Sequence, residues 1–211
     1  VIDAATVAPP GTLDEAYAIQ RRVTELSGQA VIGFKVGSTS LEAQRALGTD
    51  RPGSGPLLAG YTFESPARFT LVPAQMPAVE GEFAYRLGRD LPPRPEPYTV
   101  GDVTAAVEAV AGAIEIVGTR FSGGLSGKGR LFVTADGGVN IAFIAGPWLR
   151  TRPDRDLRNH AVAMRVDGLL VGEGTGARAL GDPLNVLAWL AEEQSRNGRG
   201  LKAGEIISTG T

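Results

Sequence analysis

The chain has 211 residues, 43% of them hydrophobic, enough for one large domain or two small ones with a real core. Its 21 Lys plus Arg are dispersed among 23 Asp plus Glu, which excludes the basic stripe of a nucleic-acid or anionic-membrane binder and leaves small molecules and copies of itself as expected partners. No segment approaches the ~20 apolar residues of a membrane span; zero cysteines exclude disulfides and thiolate metal sites and fit a cytoplasmic location; one histidine leaves no His-rich zinc site.

Thr12 with Glu15 forms a capping-box pattern, and Leu13, Ala16, Ile19, Val23 and Leu26 make a helical stripe, so a helix is predicted over 13–26. "AVIGFKVGSTS" predicts a strand over 31–36. Pro52, Pro56 and the glycines from Gly48 to Gly60 predict a loop. Alternation from Val79 to Leu87 predicts a strand with two unlike faces, which places Glu80 and Glu82 on one face with α-carbons about 7 Å apart. "LPPRPEP" reads as a surface excursion, Thr99 and Asp102 open a short helix to about Ala111, and "GAIEIVGTRF" reads as a strand. "SGGLSGKGR" reads as a mobile loop, and "VNIAFIAG" as a strand. Asp167-Gly168 between two apolar runs predicts a hairpin. Asp182-Pro183 opens a helix striped by Leu184, Leu187, Leu190 and Ala191, Asn197-Gly198 ends it, and "EIISTGT" begins a last strand. Strands dominate and the hairpin excludes a purely parallel sheet, so the class is α+β.

Two glycine-rich lookalikes fail on inspection. Gly127-Lys128 has Ser122 where a phosphate loop needs glycine and Gly129 where it needs a hydroxyl. "GEGTGA" leads into "GDP" and not into a helical pattern, unlike a dinucleotide fingerprint. His160, beside Asn159, has no ligand-like neighbour and reads as a surface histidine.

The acidic residues are more informative. Glu115 in "AGAIEIVG" shares a face with Ala113 and Val117, while Ile114 and Ile116 take the other, so both faces read as buried; an ionised carboxylate there costs several kcal/mol unless compensated. Lys35 poses the mirror problem in "VIGFKVG". One solution pairs Lys35 with Glu115 as a buried salt bridge and leaves Glu80 and Glu82 in water. The other gathers Glu80, Glu82 and Glu115 around a hard divalent cation such as Mg²⁺ or Mn²⁺, with Lys35 as a proton carrier whose pKa is lowered by burial and the metal. The residues alone leave both open.

"IGFKVGSTS", the E-x-E of "VEGEFAYRLGRDL", "AIEIVGTRF", "GARALGDPLNVLAWLA" and "AGEIISTGT" stand in the order and at the spacing of the 2-oxopent-4-enoate hydratase and 4-oxalocrotonate decarboxylase family, within the fumarylacetoacetate hydrolase superfamily. The chain resembles that family over nearly its whole length. The resemblance implies a rolled mixed β-sheet with a few flanking helices, usually in a homo-oligomer or one shared with a related pathway enzyme. It also implies Mg²⁺ or Mn²⁺ held by Glu80, Glu82 and Glu115, Lys35 as the active-site lysine, and Asp136 and Thr211 as substrate-binding positions. The implied activity is addition of water to a 2-hydroxydienoate or 2-oxo-enoate in the meta-cleavage breakdown of aromatic rings. A decarboxylase of a 4-oxalocrotonate-like acid and a catalytically silent oligomer partner are the alternatives.

The chain departs from the family's pattern at Gly53-Ser54, where relatives commonly carry Asp and an aromatic, and at Asp136-Gly137, where many carry Asp-Asn. Both places lie near substrate in the family. The superfamily's hydrolases use a histidine near the metal, and His160 falls in a different block, which disfavours hydrolysis. Relatives continue for several strands beyond the position of Thr211, so the expected organisation is a single catalytic domain over 1–211 lacking its C-terminal strands.

Overall fold

The computed structural model describes residues 1–124, 127–150 and 156–210. Leu125 and Ser126, inside the stretch expected to be a mobile loop, and Thr211 lie outside the described residues. Helix α1 (Leu13–Ser27) starts on Thr12, whose hydroxyl accepts from the Glu15 N–H, as its sequence predicts. Of its expected stripe Ala16 is buried, but Ile19, Val23 and Leu26 are 41%, 50% and 69% exposed, and Gln20 is buried in their place. Gln20 turns inward because its amide donates to the carbonyls of Ser54, at 3.1 Å, and Thr134, at 2.8 Å.

Strand β1 (Val31–Gly37) and helix α2 (Leu41–Leu47), capped by Ser40, precede β2 (Gly53–Leu58), a strand where a loop was expected. Proline and glycine misled because β2 is an edge strand bonded to β1 alone, where a missing N–H is tolerated. A Cβ at Gly55 would stand 2.2 Å from the Gly137 carbonyl oxygen, so glycine permits that close approach. Strands β3 (Thr62–Glu64) and β4 (Ala78–Leu87) follow. Helix α3 (Val100–Ala106) has the predicted Thr99–Asp102 capping box but ends at Ala106 and not at Ala111. From Val107 the chain is already β5 (Val107–Val117), because pairing of 107–111 with β4 outweighs local helix preference.

Helix α4 (Gly129–Ala135), which the sequence reading did not expect, precedes β6 (Asn140–Ala145) and the short β7 (Leu149–Arg150). The predicted hairpin is β8 (Ala161–Val166) and β9 (Leu169–Thr175), with Asp167 and Gly168 at φ 50° and 80° as its turn requires. Helix α5 (Pro183–Arg196) is capped by Asp182, buries Leu187, Leu190 and Ala191 as expected, and leads to β10 (Ile206–Ser208).

Among the described residues, eight strands form one mixed sheet in the order β2-β1-β10-β4-β5-β6-β3, with β7 paired to β5. The β1–β10 and β3–β6 pairs are parallel and the others antiparallel. The sheet rolls: Leu57 of β2 packs with Ala84, Ala113, Phe143 and Ala145 from strands far along the order. On the outer face Phe34, Val36, Tyr85 and Leu87 pack against Val103 of α3 and Val186, Leu187 and Leu190 of α5. Each such buried aliphatic contributes about 1.5–3 kcal/mol. The result is an α+β fold with a curled sheet, a helical back and a concave interior.

Candidate metal centre

Register builds the site. Glu80 lies opposite Glu115 across the β4–β5 ladder, and Glu82 follows on the same face two residues on. Like charges placed so repel, yet the three residues each offer an oxygen within 4.8 Å of the others'. Glu82 and Glu115 are buried and Glu80 is half-buried. Ile114 is 43% exposed, so the expectation that both faces of β5 are buried fails there, although Glu115 itself is inaccessible.

Lys35 reaches this cluster from β1. Its Nζ stands 3.2 Å from Glu115 Oε1 and donates to the Gly138 carbonyl at 3.0 Å. The Asn140 amide donates to Glu115 Oε1 at 2.8 Å, and the Ser208 hydroxyl donates to Glu82 Oε2. Glu82 Oε1 and Glu115 Oε2 remain buried with no hydrogen-bond partner among the described residues. The buried salt bridge and the carboxylate cluster therefore coexist; they were posed as alternatives, but one ammonium satisfies only part of three carboxylates. An all-oxygen donor set with two orphaned buried oxygens fits a hard divalent cation.

Burial pushes the Glu82 carboxyl well above its ordinary value, and the neighbouring Glu115 charge adds to the rise. Burial also raises Glu115, against the pull of Lys35 and the Asn140 hydrogen bond. For Lys35, burial favours the neutral amine, but the carboxylates of Glu115, Glu82 and Glu80 outweigh it and hold the pKa above the ordinary lysine value. The carboxylates by themselves thus favour the ammonium, whereas the lowered pKa expected for Lys35 included the charge of a bound cation.

Beside Glu80 and Glu82 a groove of about 350 Å³ runs between β4 and the β8–β9 hairpin, with Phe83, Val162 and Met164 as an apolar wall and Gly210 at its side. Asp136 lines a different cavity. Its carboxylate accepts from the Thr119 hydroxyl at 2.7 Å, the Arg120 N–H at 2.9 Å and Arg120 Nη1 at 3.0 Å. Thr211 lies outside the described residues, and His160 is exposed, edge-on to Phe83. Sequence reasoning missed Asn140 and Ser208, although each stands in a strand it identified. The signal for Asn140 was an amide between Val139 and Ile141; Ser208, between Ile207 and Thr209, carried none.

Residues 43–211 match the family described as fumarylacetoacetate (FAA) hydrolase C-terminal. Over 206 residues the chain is 36% identical to the 2-keto-4-pentenoate hydratase of Burkholderia vietnamiensis, covering 96% of this chain and 77% of that one. It is 34% identical over 209 residues to the 2-hydroxyhexa-2,4-dienoate hydratase of Comamonas testosteroni, with 96% and 77% covered. Among solved structures, 4-oxalocrotonate decarboxylase from Pseudomonas putida G7, complexed with magnesium and adipate, superposes with a TM-score of 0.79 at 28% identity over 94% of this chain and 75% of that one. The chain belongs to the 2-keto-4-pentenoate hydratase and 4-oxalocrotonate decarboxylase family of the fumarylacetoacetate hydrolase superfamily.

Proposed function

We propose that the protein hydrates a 2-hydroxydienoate, by way of its 2-oxo-3-enoate tautomer, in a site made by Glu80, Glu82, Glu115 and Lys35. The observation that carries this reading is the pair of orphaned buried carboxylate oxygens beside a buried ammonium. Glu80, Glu82 and Glu115 would hold Mg²⁺ or Mn²⁺, which when bound supplies Lewis-acid polarisation of a chelating 2-oxo acid.

The chain's own residues do the rest. Glu115 and the Gly138 carbonyl fix Lys35 Nζ in position. As an ammonium, Lys35 donates its proton to C5 of the dienoate and, once neutral, takes the proton of the 2-hydroxyl, giving the 2-oxo-3-enoate. Water adds at C4, which is electrophilic because its double bond is conjugated to the keto group; Lys35 gives a proton to C3 and is restored to the ammonium by the proton that the attacking water releases. Asn140 and Ser208 restrain Glu115 and Glu82 and keep their free oxygens directed into the cluster. Asp136 acts as a positioning residue: tied to Thr119 and Arg120, it anchors the turn whose Gly138 carbonyl holds Lys35. Thr211 is assigned to substrate contact.

The test is loss of the ultraviolet absorbance of 2-hydroxypenta-2,4-dienoate and 2-hydroxyhexa-2,4-dienoate with Mg²⁺ or Mn²⁺. Turnover abolished by chelator is the expected result, and no turnover of either dienoate with either metal would refute hydration. Likeness to the decarboxylase favours one second reading, release of CO₂ from a 2-oxo dicarboxylic acid. Detecting that CO₂ distinguishes it.

A further inference from the structure

Helix α1 carries the apolar stripe that its sequence predicts, yet Ile19 and Val23 do not join the core; they line the cavity to which Asp136 also belongs. Pro56 and Leu58 of β2 and Phe132 of α4 supply further wall, and Ile2 and Val7 bring the N-terminal segment to it. These separate stretches of chain enclose about 310 Å³. A concavity of that size is shaped for a small molecule and not for the flat face of a partner. Its lining favours a neutral aromatic. Phe121 and Phe132 meet edge to face with centroids 5.1 Å apart, and Tyr61 adds a third ring. Among the described residues the charged members of the lining are Arg120 and Asp136, which pair with each other at 3.0 Å, so a ligand meets no net charge. An apolar cavity of about 150 Å³ takes up benzene, and this one, about twice as large, has room for two fused rings.

One wall of the cavity is shared with the acidic cluster. Asp136, Gly137 and Asn140 line the cavity. From the same turn the Gly138 carbonyl accepts from Lys35 Nζ at 3.0 Å, and the Asn140 amide donates to Glu115 Oε1 at 2.8 Å. Gly137, Gly138 and Val139 run left-handed, with φ of 69°, 68° and 61°. A β-branched valine rarely adopts that conformation, and such strain persists only where the surroundings hold it. Whatever packs against the cavity side of this turn therefore bears on where Gly138 and Asn140 stand on the other.

We propose that this cavity is a second binding site, for a neutral aromatic molecule of about two fused rings, and that its occupancy braces the strained turn and tightens the metal centre beyond it. The coupling rests on the metal reading above, whereas the cavity site stands on its own lining. Bracing favours the metal because it holds Glu115, through Asn140, in the place where it serves as a ligand.

Indole, neutral and of the right size, is the probe. Calorimetric titration should give saturable binding of one indole per chain, and electron paramagnetic resonance of free Mn²⁺ gives the metal affinity with and without it. Saturating indole should tighten Mn²⁺ binding by roughly five- to tenfold, and Mn²⁺ should tighten indole by the same factor, as linkage requires. Ile19→Glu, which sets a charge in the lining, and Val23→Trp, which fills it, should each abolish indole binding, and neither should weaken Mn²⁺ binding measured without indole. Both positions are exposed on α1; circular dichroism checks the fold, and should one variant not fold the other decides. No saturable binding up to the solubility limit of indole, or binding that both variants leave intact, overturns the site. Indole binding that leaves Mn²⁺ affinity unmoved overturns the coupling and spares the metal reading, while absence of any Mn²⁺ binding overturns the coupling and that reading together. Sedimentation velocity tests a second copy as the occupant: an oligomer dissociated by Ile19→Glu would make the cavity a subunit contact and overturn the proposal.

Discussion

Asp136 and Glu82 are buried to nearly the same degree, at 6% and 4% exposure, and are provided for in opposite ways. Both oxygens of Asp136 accept hydrogen bonds, from Thr119 and Arg120, and Arg120 supplies the opposite charge. Glu82 has one hydroxyl donor, two neighbouring carboxylates and one oxygen with no donor among the described residues. A saturated buried carboxylate holds structure together, whereas an unsaturated one is a standing cost that only something bound can offset. Burial alone therefore does not separate the two roles; the inventory of donors does.

Lys35 offers the sharpest test of that division. Lys35→Met should cut turnover by roughly 10²- to 10⁴-fold, the usual worth of a positioned proton carrier. Mn²⁺ affinity, measured by calorimetry, should hold or rise, because the lost ammonium repelled the cation. A variant that turns over normally would remove Lys35 from the chemistry. Next in size is Glu82→Gln, which should weaken Mn²⁺ binding by about 100-fold or more while the melting temperature in chelator stays level or climbs, since an uncompensated buried charge has gone. Asp136→Asn should do the reverse, costing about 2–3 kcal/mol of stability in a denaturant titration by setting an amide against donors, with Mn²⁺ affinity retained. If Asp136→Asn lost metal and kept its stability, the contrast between the two carboxylates would be mistaken.

Much of this was legible in the sequence, and the failures share a cause. Period-two alternation exposed β4, Thr-x-x-Glu marked the start of α1, and Asp-Gly gave the hairpin, because each is a local rule. The three glutamates and Lys35 stood out as charges among apolar neighbours, which is again a local observation. Edge position, however, decides whether Pro56 and its glycines can form a strand, and only the sheet order reveals it. Pairing across the sheet likewise ended α3 at Ala106, and the carbonyls of Ser54 and Thr134 turned Gln20 inward in place of Ile19. Asn140 and Ser208 belong to the same class: their partners lie far along the chain, and no spacing rule connects them.

A third carboxylate extends the contrast to the surface, where saturation should count for least. Asp102 accepts from the Thr99 N–H at 2.9 Å, the Thr99 hydroxyl at 2.8 Å and Arg94 Nη2 at 2.6 Å. The backbone hydrogen bond from Thr99, followed by the Arg94 contact, holds its carboxyl down at about 2 against an ordinary 3.8. Because the folded value is the lower one, its stabilisation is complete above the unfolded value and is lost as pH falls through about 2. In melting curves recorded against pH, Asp102→Asn should therefore differ from the parent above about pH 4 and converge with it at the acid end. Added salt should shrink even that gap, since the Arg94 pair is open to water. A gap that persisted at the acid limit would mean that the asparagine disturbs the cap by its shape, leaving the charge of Asp102 without a part in holding α3.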